Sequence, residues 1–291
     1  MGKKKERVEQ EVDGLKSLPR NRKEVFFDFI KHRKMTLFAL SSFTFMFFIP
    51  LAVDLFYFNF LESVASQNGQ TDALFSLIFY SMLIMIPCMV LGFIGLTGAF
   101  HVAKKMAWQE GVMIASDFFK GIKENWLHGL IDGLLFGISL FGLVVGGLYL
   151  YSYAPVHASI KGIGIGGLIL VFLVLGIVTA LNMTQSVYYT NSYLKTFKNS
   201  FSFLAVLNWK VLVLFLLSTG AVFTLCCFNM ILLGVGLFLF AILNSVVVVL
   251  YTLIAHSAFD KYINQVHYPE YVGKGLYKEK IQDSPLENEE A

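Results

Sequence analysis

The sequence predicts an all-α, polytopic membrane protein with six transmembrane helices. Three observations lead to that class. First, 56% of the 291 residues are apolar and 15% are charged, against about 45–50% and about 25% in soluble domains, and the mean hydropathy is +0.64. Second, the apolar residues gather into runs of about 20 or more, long enough for a helix to cross a hydrocarbon core about 30 Å thick. Third, 22 of the 23 Lys and Arg fall in alternate segments between those runs. This composition excludes a soluble enzyme, a disordered chain and a disulfide scaffold. The three cysteines read as packing residues: Cys88 lies inside an apolar run, and the neighbours Cys226 and Cys227 are too strained a pair to bridge each other.

In chain order, residues 1–34 form a basic N-terminal segment with 11 of the 23 Lys and Arg. With no apolar stretch before Met35, it does not read as a secretory signal peptide. Its basic residues stand beside an apolar span, which predicts contact with lipid rather than with nucleic acid. A six-helix domain occupies 35–258, with spans at about 35–60, 73–103, 128–153, 162–189, 211–228 and 230–255. Pro50 and Pro87 predict kinks in the first two. The fifth span is the shortest, and only a tight turn near Cys227, Phe228 and Asn229 parts it from the sixth, so a fused, kinked or re-entrant arrangement stays open there. Residues 259–291 form a C-terminal tail, expected to be disordered from Ser284 onward, where three Glu stand near the end.

Orientation follows from the charges. With the N-terminus in the cytoplasm, Lys161 alone falls outside, and the loop 62–72 holds acids and no base. The positive-inside rule therefore predicts a multi-pass plasma-membrane protein with both termini cytoplasmic. The inner segments 110–127 and 191–207 carry apolar residues at helical spacing, among them Val112, Ile114, Phe118, Phe119, Ile122 and Trp126 in the first. Both read as interfacial amphipathic helices at the headgroups, with 24–34 as a shorter third.

An internal repeat follows from short matches. Asn125-Trp126 and Asn208-Trp209 each end an interfacial segment, Val90-Leu91-Gly92 matches Val174-Leu175-Gly176, and Asp28-Phe29-Ile30-Lys31 resembles Asp117-Phe118-Phe119-Lys120. They predict three parallel helix-hairpin repeats at about 24–107, 108–190 and 191–262. The repeat places His101, Gln185 and His256 at equivalent positions near the inner ends of the second, fourth and sixth spans. These form a candidate polar cluster for a ligand or partner, or else a set of wet groups at the interface. Asp132, one turn into the third span and one turn after His128, joins the candidates as a proton or cation site, or as a solvated acid. Asp54 is as ambiguous, and Asn182 and Asn244 read as interhelical hydrogen-bonding groups. Gly129, Gly133 and Gly137, at four-residue spacing, predict close helix packing, with a homodimer face as the alternative. Gly162, Gly164, Gly166 and Gly167 open a span with no strand before them, which favours helix packing over nucleotide binding. No Walker A loop, GxSxG elbow, HExxH pair, CxxC pair or DxD-type acidic pair is present, so no metal or cofactor is predicted.

The run Gly95-Leu96-Thr97-Gly98-Ala99-Phe100, followed by Glu110-Gly111 and by Asp117-Phe118-Phe119-Lys120-Gly121-Ile122-Lys123-Glu124-Asn125, resembles the YesL-like family of multi-span proteins of Gram-positive bacteria. The likeness covers about 90–210 well. The longer first apolar stretch, the outer loop 63–72 and the longer tail depart from it. The resemblance implies a plasma-membrane protein associated with carbohydrate uptake and breakdown, and it brings no catalytic residue with it. The expected function is a non-enzymatic accessory or regulatory partner of a transport system, docked through Phe118, Phe119, Lys120, Lys123 and Trp126. The alternative is a small transporter or channel with a polar cavity between the repeats. A membrane enzyme ranks third, because no cluster of acids or metal ligands stands out.

Overall fold

The computed structural model describes residues 19–68, 71–152, 154–155, 157–220 and 230–277. Helix α1 (Arg22–His32) opens on a capping box: Asn21 Oδ1 accepts the Glu24 N–H at 2.9 Å, and Glu24 Oε2 accepts the Arg20 N–H at 2.7 Å. Arg33 breaks it, and the long apolar helix α2 (Lys34–Gln67) follows. Next come α3 (Thr71–Ala107) and α4 (Ile114–Phe141), the latter running through a π-helical turn at Gly142–Gly146 into α5 (Gly147–Ser152). The order closes with α6 (Ala158–Tyr188), α7 (Tyr193–Phe215) and α8 (Met230–Phe259). The chain is thus an all-α, multi-pass membrane protein, and among the described residues there is no strand. Both α2 and α3 continue through their prolines, Pro50 and Pro87.

Five helical stretches are long and apolar enough to cross a membrane: Lys34–Gln67, Ala73–Ala107, Ile114–Ser152, Ala158–Tyr188 and Met230–His267. A sixth is reached when Tyr193–Leu207 and Trp209–Ser218, bent by 104° to each other, count as one span. The predicted fifth span, 211–228, is described only to Gly220, so Cys226, Cys227 and the turn beyond them lie outside the described residues.

The two predicted interfacial segments fold differently. The second is the leading arm of α7, Tyr193–Leu207, which meets the continuation Trp209–Ser218 at the 104° bend. The first is not a separate helix. From Ile114 it is the leading part of α4 itself, because nothing between it and the span breaks the helix and because Phe118 anchors it to the bundle. The Phe118 ring is fully buried, 5.6 Å from Phe43 and 5.8 Å from Phe47 of α2. Gly98 of α3 makes room: a Cβ there would stand 2.7 Å from the Phe118 carbonyl oxygen.

The seam of the bundle is the α3–α4 contact. A Cβ added at Gly129, Gly133 or Gly137 would lie 2.9, 2.7 or 3.2 Å from the Cα of Ile94, Val90 or Ile86. The predicted small-residue stripe thus lets two backbones approach within one chain. At Gly162, Gly166 and Gly167 nothing stands within 4 Å of such an atom, so those glycines do not serve a tight helix contact. Helix α8 lies along α2 through polar bonds: Ser41 donates to the Ile242 carbonyl at 2.8 Å and accepts the Ser245 N–H at 3.1 Å, while Asn244 Nδ2 donates to the Ser41 carbonyl at 3.1 Å. Asn244 therefore does what the sequence suggested.

Candidate functional site

Two buried polar centres lie toward the end of the bundle that carries α1, the basic end. The first joins α1, α3, α8 and the chain beyond α8. His256 is fully buried in the last turn of α8. Its Nε2 accepts the Trp108 indole N–H at 2.9 Å. Because an indole nitrogen only donates, this bond makes Nε2 the acceptor. The other ring nitrogen, Nδ1, stands 3.1 Å from Asp260 Oδ2, one turn on. Arg22 closes the group: Nη2 donates to Asp260 Oδ2 at 3.2 Å, and Nη1 donates to the carbonyls of Ala107 at 3.1 Å and Lys274 at 3.0 Å. Asp260 Oδ1 accepts from Asn264 Nδ2 at 2.8 Å, and Asn264 Oδ1 accepts the Tyr189 hydroxyl at 2.7 Å.

The aromatic surroundings hold this network in place. The Lys274 ammonium sits 3.7 Å and the Lys104 ammonium 4.6 Å from the Trp108 ring centre, both within cation–π range. Tyr188 and Tyr271 pack at 5.5 and 5.1 Å from the same ring. Beyond α8 the chain therefore returns over the basic end as a cap. Gly275, at φ +82°, allows the return, because a Cβ there would meet the Ala107 carbonyl oxygen at 2.5 Å. The Tyr277 N–H donates to the Pro19 carbonyl at 3.0 Å, so the two described ends of the chain meet. The predicted tail from Ser284 lies outside the described residues.

The second centre is Asp132. Its carboxylate is fully buried in α4. Asn182 Nδ2 of α6 donates to both oxygens, at 3.0 and 2.9 Å, and the Tyr193 hydroxyl of α7 donates to Oδ1 at 2.7 Å. His128, one turn earlier, packs against Tyr193 with ring centres 5.3 Å apart and the planes tilted by 49°. The acid thus ties three helices together, and no cation bonds it among the described residues.

The repeat-related positions share no hydrogen bond or ion pair with one another among the described residues. His256 belongs to the cap. Gln185, fully buried, donates to Ser200 Oγ of α7 at 3.0 Å. His101 faces the start of α4, with Nδ1 3.8 Å from Glu124 Oε2. Of the candidate docking residues, Phe119 (52% exposed), Trp126 (50%), Lys120 and Lys123 lie on the surface. Phe118 is the exception: its full burial removes it from that surface. Sequence reading missed Arg22, Trp108, Asp260 and Tyr193. The four-residue step from His256 to Asp260 was a readable signal, the same one that singled out His128 and Asp132. Among the described residues, no group of three or more His, Cys, Asp or Glu is placed to hold a metal ion. No family model, curated protein or solved structure matches the chain.

Proposed function

We propose that this chain is a plasma-membrane protein with both termini in the cytoplasm, and that it acts without catalysis as an accessory partner of a transport system. The observation that carries the reading is the surface of α4 at the basic end. Phe119, Lys120, Lys123 and Trp126 are exposed on a helix that buried Phe118 fixes to α2 and α3. Exposed aromatic groups on a rigid support suit a docking surface, and the lysines beside them suit its charged rim. The placement of 22 of the 23 Lys and Arg supports the orientation. The resemblance to YesL-like proteins is the support for a carbohydrate system in particular.

The rival reading is a small transporter or channel. One observation favours it: Asp132 is a fully buried acid without a bonded cation. Against it, the carboxylate is already enclosed by Asn182 and Tyr193. Flux measurements on liposomes holding the purified protein alone separate the two. The accessory reading predicts no uptake of sugars or monovalent cations above that of empty liposomes. Flux that disappears in Asp132→Asn would establish the rival. In native membranes, a photocrosslinker at Lys120 or Lys123 is expected to capture a transporter subunit, and at exposed Ser159, far along the chain, it is not.

A further inference from the structure

We propose that the outer face of α1, with the first residues of α2, is a binding surface for anionic phospholipid headgroups. The inference is independent of any protein partner. Val25 and Phe29, four residues apart, are fully buried against the bundle. Directly opposite them on the helix stands Phe27, 67% exposed, flanked by exposed Ile30 and by the exposed lysines Lys23 and Lys31. The surface continues past the helix junction with Lys34 and with Met35, which is 83% exposed.

The face is therefore apolar along its centre and cationic along its margins, and it directly precedes the first membrane-crossing helix, Lys34–Gln67. That position fixes its depth: a helix whose next residues enter the hydrocarbon lies at headgroup level. Phe27, Ile30 and Met35 can enter the acyl boundary there, while Lys23, Lys31 and Lys34 reach outward to phosphates.

Charge decides between lipid classes. None of these three ammonium groups bonds a carboxylate among the described residues. Two acids of α1 stand against these three lysines: exposed Glu24, which bonds the Arg20 N–H and the Asn21 amide, and half-buried Asp28, and neither bonds a lysine among the described residues. Arg33 turns inward, donating to Gln109 Oε1 at 2.9 Å and standing over the Phe29 ring, so it is not one of the lipid contacts. Lys31, His32 and Lys34 line a shallow, open depression of the surface between α1 and α2. A zwitterionic headgroup would gain little from that field, whereas an anionic one gains from each lysine in reach.

The test uses the full chain in bilayer nanodiscs of dioleoyl phosphatidylglycerol and dioleoyl phosphatidylcholine, with the lipid shell around the protein analysed by mass spectrometry. The wild type is expected to enrich phosphatidylglycerol. The triple variant K23Q/K31Q/K34Q, which changes only exposed side chains, is expected to reduce that preference about tenfold or more while unfolding at the same temperature. The K120Q/K123Q variant is expected to retain it. A second measurement does not depend on the lysines: tryptophan placed at Phe27→Trp should be quenched by brominated phosphatidylglycerol more strongly than by brominated phosphatidylcholine, after subtraction of the wild-type signal. An unchanged preference in the triple variant overturns the proposal. So does a Trp at position 27 quenched by neither lipid, since the face would then be bare or covered by protein.

Discussion

The residue that governs the bundle most directly is a glycine in the α3–α4 seam. At Gly133 a methyl group would stand 2.7 Å from the Val90 Cα, a backbone atom that cannot move aside alone. Gly133→Ala is therefore expected to separate the two helices and to lower stability by about 1–3 kcal/mol, the usual cost of overpacking. Gly166→Ala is expected to do the opposite. Nothing stands within 4 Å of its added methyl, and alanine favours the helix over glycine by about 0.8–1.0 kcal/mol. Thermal unfolding of the two variants in one detergent checks the pair, and equal shifts would contradict the seam. Asp132 illustrates a different lesson of the same scale. Its four-residue step from His128 was visible in the chain, but Asn182 and Tyr193, its partners, are 50 and 61 residues away in sequence. No local pattern brings those three together.

At the scale of elements, the spans were legible because membranes impose a length and a composition on the helices that cross them. The helix ends were less so. Helix α2 runs to Gln67 and α3 begins at Thr71, so helix takes up most of the loop expected at 62–72. The apolar residues of segment 110–127 recur at helical spacing, a periodicity that fits burial against protein as well as burial in lipid. Phe118 shows which applies, and Phe119 and Trp126, both exposed, show that the same helix presents a second face. The cap is the element least visible in sequence. It depends on Arg22 reaching the carbonyls of Ala107 and Lys274, contacts that span 85 and 252 residues. Arg22→Met is expected to free the chain after α8, so that trypsin cleaves after Lys274 at least tenfold faster than in the wild type, with the transmembrane helices still protected. Unchanged cleavage would show that the aromatic packing around Trp108 holds the cap without the guanidinium.

The whole molecule adds a constraint that no single helix supplies. Pro19 and Tyr277 are hydrogen-bonded, so the described chain starts and ends at one end of the bundle. Leu233, near the start of α8, packs with Ala52 and Phe56, deep along α2, whereas His256 stands at the basic end with Trp108 and Arg22. Tyr189, bonded to Asn264, also stands at the basic end. Between Tyr189 and Met230 the chain must therefore pass once more to the opposite end, which accounts for a sixth crossing. The six-crossing arrangement, with the basic end proposed to face the cytoplasm, is the central claim, and impermeant thiol labelling tests it most directly. In a background without native cysteines, single cysteines at Ser63 and Ser159 are expected to react from outside intact cells. Cysteines at Lys123 and Ser257 are expected to react only after the membrane is opened. Labelling of Ser257→Cys from outside, or of Lys123→Cys together with Ser159→Cys in sealed cells, would contradict the arrangement.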